Sequence, residues 1–200
     1  MGWRQGPNEA RAEDGRSVRR RGGQFARAPR PRMADMSEKP AQPHRAVAEA
    51  ELSVAQETLS AVVDGTNPRG EVLAVAELAG VIAGKRASEL LPLLPQAMLT
   101  NLTVEAMPDR VAGVIRIHVE TAAASASGVG MEALTAAAVA ALAAYDMIRE
   151  EDSAAYVRSV RLLSTTDAEA AWHRPEDPVE RPRPKVARGA GRVSSRRPGR

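Results

Sequence analysis

Gly128-Val129-Gly130-Met131-Glu132-Ala133-Leu134-Thr135 leads into an Ala-rich run that closes on Tyr145-Asp146-Met147. The stretch predicts a helix over about residues 131–152, entered from a flexible loop at 122–128. Glu132 falls at the helix start, where the dipole favours an acid without any further duty. Asp146 follows fourteen residues later, close to four turns on, so both carboxylates fall on nearly one face. That spacing points to a pocket shared by the two. Asp146 can equally pair with Arg149 at i+3, and Met131 and Leu134 read as core.

Working outward, a strand is expected at about 155–163 on Val157, Val160, Leu162 and Leu163, with order fading beyond Thr166. Upstream, two strands at about 100–107 and 111–121 flank Pro108-Asp109, which reads as a hairpin turn. Farther upstream the pattern is helical. From Ser53, Leu52, Leu59, Val62 and Val63 recur near the 3.6 period and stop at Asp64-Gly65. After Asn67-Pro68-Arg69-Gly70, a second helix is expected over about 71–90, with an apolar stripe of Val72, Val75, Leu78, Ala79, Ile82 and Ala83. Pro92 and Pro95 end it. Helices and an antiparallel sheet on opposite faces make an α+β two-layer sandwich.

Composition narrows the function classes. The chain carries a net +3, distributed unevenly. Residues 1–32 hold nine Arg against Glu9, Glu13 and Asp14, and residues 171–200 hold nine Lys or Arg against Glu176, Asp177 and Glu180, so each end is +6 and the remainder is −9. Such ends bury too little apolar surface to offset ordering entropy and read as disordered tails, 1–32 and 167–200. Phe25 and Trp172 are too sparse for a base-stacking platform, which argues against a nucleic-acid partner. With no cysteine and only His44, His118 and His173, no metal site is expected. No apolar run reads as long enough to span a bilayer and no signal peptide is evident, so a cytoplasmic protein without a membrane partner is expected. Aromatic content of 2% implies a thin Ala/Leu/Val core, consistent with burial at subunit contacts. Two motifs carry nothing. Gly84-Lys85-Arg86 lacks the spaced first glycine of a phosphate loop, and the glycosylation-type Asn101-Leu102-Thr103 falls in a predicted strand.

Ala79-Gly80-Val81-Ile82-Ala83-Gly84-Lys85-Arg86-Ala87-Ser88-Glu89-Leu90-Leu91-Pro92-Leu93, the stretch at 128–135, and Met33-Ala34-Asp35-Met36-Ser37-Glu38-Lys39 together resemble the cyclic pyranopterin monophosphate synthase family of molybdenum-cofactor biosynthesis. The similarity covers residues 33 to about 163. It implies a domain over 33–166 with residues 1–32 as an upstream extension. It further implies a ferredoxin-like core assembled as a hexamer of three dimers, and a nucleotide-derived small-molecule substrate with no cofactor.

The family's reaction rearranges a cyclised dihydro-GTP into a pterin with a cyclic phosphate and releases pyrophosphate. On the matching positions the resemblance implies catalytic Asp146, as the acid–base group, and Glu132, with Lys85, Arg69 and Arg149 binding substrate. Lys85-Arg86 can also be read as a solvated helix end. Several family positions differ here. Leu94-Pro95-Gln96 stands for Cys-His-Pro, so the family histidine is Pro95. One carboxylate is replaced by Gly130 and a loop lysine by Ala126. Two functional lysines are Arg69 and Arg149, and Ser164-Thr165-Thr166-Asp167 replaces a Lys/Ser/Gly tail. Arg holds phosphate well but does not exchange protons near neutral pH. An alternative is therefore a catalytically silent paralogue that keeps the fold and binds a nucleotide, a pterin or an intact sister subunit.

Overall fold

The first element is a strand where no strand is expected. In the computed structural model, which describes residues 30–167 and 170–175, β1 (Gln42–Ser53) lies inside the sheet. Its even-numbered residues His44, Ala46, Ala48, Ala50 and Leu52 are buried beneath the helices, while Arg45, Val47 and Glu49 alternate away from them. Alanine is a weak strand former, so this row carries little strand signal of its own. The helical reading from Ser53 is corrected accordingly: Leu52 is a strand residue, and α1 begins later (Gln56–Val63).

The second expected helix divides at Arg86 into α2 (Val72–Lys85) and α3 (Ala87–Leu90). Its buried face is also corrected. Val72, Ala76, Gly80, Ala83 and Gly84 face inward, whereas Val75, Leu78 and Ile82 are exposed, Leu78 at 62%. Small residues face inward because α2 sits too close to its neighbours for anything larger. A Cβ on Gly80 would lie 2.9 Å from Val104 Cγ1 and 3.1 Å from the Ala136 carbonyl oxygen, and one on Gly84 would lie 2.9 Å from Leu102 Cδ2.

The hairpin comprises β2 (Leu99–Asp109) and β3 (Val114–Ser125). Pro108 and Asp109 pair with Ile115 and Val114, so the turn lies beyond them, at 110–113. Asp109 Oδ1 accepts the Val111 and Ala112 N–H groups at 3.0 and 2.9 Å, and Gly113 supplies a positive φ of 65°. The loop expected at 122–128 is shorter than that, because β3 runs on to Ser125.

α4 (Gly130–Ile148) and β4 (Tyr156–Thr166) follow. Asp152, expected inside the helix, lies beyond its end; its Oδ2 accepts the Ala55 N–H at 2.7 Å, at the start of α1. A short β5 (Ala171–His173) pairs with β4, so order extends past Thr166. The rest of the expected tails, residues 1–29, 168–169 and 176–200, lies outside the described residues. The described residues from Met33 onward belong to one compact unit.

The sheet order is β2-β3-β1-β4-β5, with every neighbouring pair antiparallel. Apart from the added edge strand β5, it consists of two interleaved strand–helix–strand units with helices packed on one face. This is the ferredoxin-like two-layer α+β arrangement. α4 lies across β1, β3 and β4, and α2 packs on α4 and β2. At 19 residues α4 is long and apolar enough by composition to cross a membrane, contrary to the reading that no run is. It is the core helix here: Ala133, Ala136, Ala137, Ala140, Ala141 and Ala144 are wholly buried. The opposite sheet face is ionic, with Arg116 and Arg161 both reaching Glu49 and Glu51 over 3.2–3.8 Å.

Replacing Gly80 by Val is expected to destabilise the domain by about 1–3 kcal/mol through overpacking. Gly128→Ala, with nothing within 4 Å of its Cβ, is the matched control for chemical denaturation and is expected to stay near wild type.

Candidate active site at two ends of a helix pair

α2 and α4 run antiparallel. Gly84 lies against Ala136, Gly80 against Ala136 and Ala140, and Arg69, just before α2, reaches Asp146. The expected site residues therefore fall into two groups. Asp146, Arg69 and Arg149 meet at the C-terminal end of α4. Glu132 lies at its N-terminal end, with Lys85 on the nearby end of α2. Fourteen residues at about 1.5 Å each separate the carboxylates by about 21 Å along the axis. Within one chain the shared face does not become a shared pocket.

At the first end, the turn before α2 aims Arg69. Asn67, buried, accepts the Arg69 N–H through Oδ1 at 2.9 Å and the Gly70 N–H through its carbonyl at 3.0 Å, while Gly70 takes a φ of 98°. Arg69 then donates to the Asp146 carbonyl oxygen, one of the carbonyls a helix end leaves unpaired. Its Nη2 lies 3.1 Å from Asp146 Oδ2. Arg149 Nε donates to Asp146 Oδ1 at 2.9 Å. All three side chains remain open to solvent. The hydrogen bonds from Arg149 and then Arg69, reinforced by their charge, hold the Asp146 carboxyl below its usual range. An ionised carboxylate thus orients two guanidinium forks, an arrangement suited to phosphate oxygens.

At the second end, Glu132 is buried, 3% exposed, and its Oε2 has no hydrogen-bond partner among the described residues. Burial pushes its carboxyl up, opposed by its own backbone N–H. The two carboxylates are thus driven in opposite directions, Glu132 towards the neutral acid and Asp146 towards the carboxylate. A side chain at Gly130 would find ordinary contacts, with Leu162 and Thr165 atoms 3.5–3.6 Å from its Cβ.

A cavity of about 570 Å³ lies beside this end of α4, lined by Met36, Lys39, Gln42, His44, Pro95, Ala126, Ser127, Gly128 and Asp167 among others. Pro95 and Ala126, two of the positions at which the resemblance breaks, therefore line one cavity. The loop is pinned there: Thr121 donates to the Val129 carbonyl at 3.0 Å and Ser125 Oγ to the Ser127 carbonyl at 2.6 Å. Opposite it, Asp35 accepts the Ser37 N–H and hydroxyl at 3.0 and 2.7 Å, bonds that lower its carboxyl. Lys39 N–H closes the same turn onto Met36.

Sequence reasoning missed Lys39, Gln42 and His44. The available signal was parity: His44 occupies the same alternate row as Ala46, Ala48 and Ala50. No group of three or more potential metal-binding side chains occurs among the described residues.

The ferredoxin-like scaffold thus carries an arginine-clamped carboxylate at one end of the helix pair and a buried acid at the other. The MoaC family model matches residues 33–167. Cyclic pyranopterin monophosphate synthases from two strains of Chloroflexus aurantiacus are each 37% identical over 145 residues, spanning 72% of this chain and 89% of theirs. The chain belongs to the MoaC family.

Because burial raises the Glu132 pKa, the folded state binds this proton more tightly than the unfolded chain. The stabilising effect of protonation is complete below the unfolded value and is lost as pH rises through the folded one. Glu132→Gln is therefore expected to raise the melting temperature at pH 8. The gain should shrink towards pH 4.5; a difference independent of pH would contradict the account.

Proposed function

We propose that this chain is a cyclic pyranopterin monophosphate synthase of molybdenum-cofactor biosynthesis, converting a cyclised dihydro-GTP into the cyclic pyranopterin monophosphate with release of pyrophosphate. The observation that carries the reading is the Arg69–Asp146–Arg149 cluster, open to solvent, on a MoaC-family chain. The two guanidinium groups bind phosphate oxygens of the substrate, each able to donate two parallel hydrogen bonds. Phosphate drawing those donors away leaves the Asp146 carboxylate free to accept a proton. Glu132, its pKa raised by burial, serves as the complementary donor, and Lys85 adds positive charge at the same end.

About 21 Å between the two ends is farther than the reacting part of one substrate extends. The reading therefore includes a homo-oligomer in which the Asp146 end of one chain meets the Glu132 end of another. The exposed Val75, Leu78, Ile82 and Leu142 support it, since apolar surface concentrated on the outer side of a helix pair marks an interaction surface. A hexamer built from such dimers, working in the cytoplasm, is the assembly we propose.

The test is pyrophosphate release from the cyclised dihydro-GTP by the full chain, together with rescue of a bacterial strain lacking its own synthase. Arg69→Ala and Arg149→Ala should each raise KM about 10–100-fold, the cost of losing a charge-assisted hydrogen bond. Binding of the substrate without any pyrophosphate release by the soluble wild type would instead establish the silent paralogue.

A further inference from the structure

The row of β1 that faces the helices is apolar except at its start, Gln42 and His44. Ala46, Ala48, Ala50 and Leu52 are covered and essentially inaccessible. His44 stands at the end of that row, paired across the sheet with Ala123. There the wall of the cavity is made by Pro95, the 126–128 loop and the segment carrying Met36 and Lys39. The His44 side chain is only 7% exposed, and its Nε2 has no hydrogen-bond partner among the described residues.

A buried polar atom left unpaired costs about 1–3 kcal/mol, and such atoms in folded proteins call for a reason beyond packing. An aliphatic side chain would continue the row without that cost. The cavity's volume of about 570 Å³ lies within the usual range for small-molecule sites. Its ionisable lining groups are Lys39, His44 and Asp167. Of these side-chain types, imidazole is the one suited to passing a proton in either direction near neutral pH.

We propose that His44 is a proton-transfer group of this cavity, where the side chains of Pro95 and Ala126 present only hydrocarbon. The neutral ring accepts a proton from a substrate N–H or O–H as the ring system opens. The imidazolium then returns that proton to another substrate atom as the new ring closes, so the side chain ends as it began and pyrophosphate is the sole group released. Lys39, on the same wall, places a positive charge beside the substrate's phosphates. The assignment rests on the function proposed above.

The decisive comparison is His44→Gln against wild type, both as the full chain, in pyrophosphate release from the cyclised dihydro-GTP. Loss of a proton-transfer group lowers kcat about 10²–10⁴-fold, with KM expected to stay within a few-fold. His44→Ala supplies the second readout: added imidazole should restore part of its lost kcat, which no purely structural role would allow. An unchanged kcat in His44→Gln, or a loss expressed in KM and indifferent to imidazole, overturns the proposal while leaving the synthase reading intact. Wild type that binds substrate and releases no pyrophosphate removes that reading, and the proposal with it.

Discussion

Close approach between α2, α4 and the sheet is the constraint on which the rest of the structure depends. Gly80 and Gly84 on α2, the buried alanines of α4 and Ala46, Ala48 and Ala50 of β1 leave no room for larger side chains. Tight contact between small residues makes up in packing what the core lacks in bulk, since dispersion is lost over gaps of an ångström or less. The same constraint sends Val75, Leu78 and Ile82 to the outside. One seam thus decides both which helix face is buried and which is left exposed.

The seam also holds the chemistry in place. Antiparallel packing of α2 on α4 brings Arg69 to the last turn of α4 and Lys85 towards its first. Arg69 serves two ends at once, satisfying a helix-terminal carbonyl and lowering the pKa of the carboxylate beside it. Glu132 has the opposite environment on the same helix. A single rigid rod therefore separates an ionised carboxylate from a protonatable one.

Departures from the family pattern are gathered in space. Pro95 and Ala126 come from different loops but line one cavity, and His44 lies in it as well. Gly130 lies two residues beyond the loop glycine of that cavity, with room for a side chain. The arginine cluster at the other end keeps charge and hydrogen-bonding capacity despite its Lys-to-Arg exchanges.

Local spacing alone makes the family, the α+β class, the third helix and the Asp146–Arg149 pair legible in the sequence: a long motif match, an Ala-rich run, an i+3 pair. It also determined that Asp146 and Glu132 share a helix face. Only the tertiary structure decided that the shared face leads to two sites, because a helix separates its ends by its rise however well its phases agree. Strand β1 was illegible because an Ala-lined row looks like a strand only once a helix covers it. The buried face of α2 was misread because apolar periodicity ranks large side chains above glycine, whereas the contact demanded the smallest. The parity of His44 has meaning only once the fold brings Pro95 and the 126–128 loop around it.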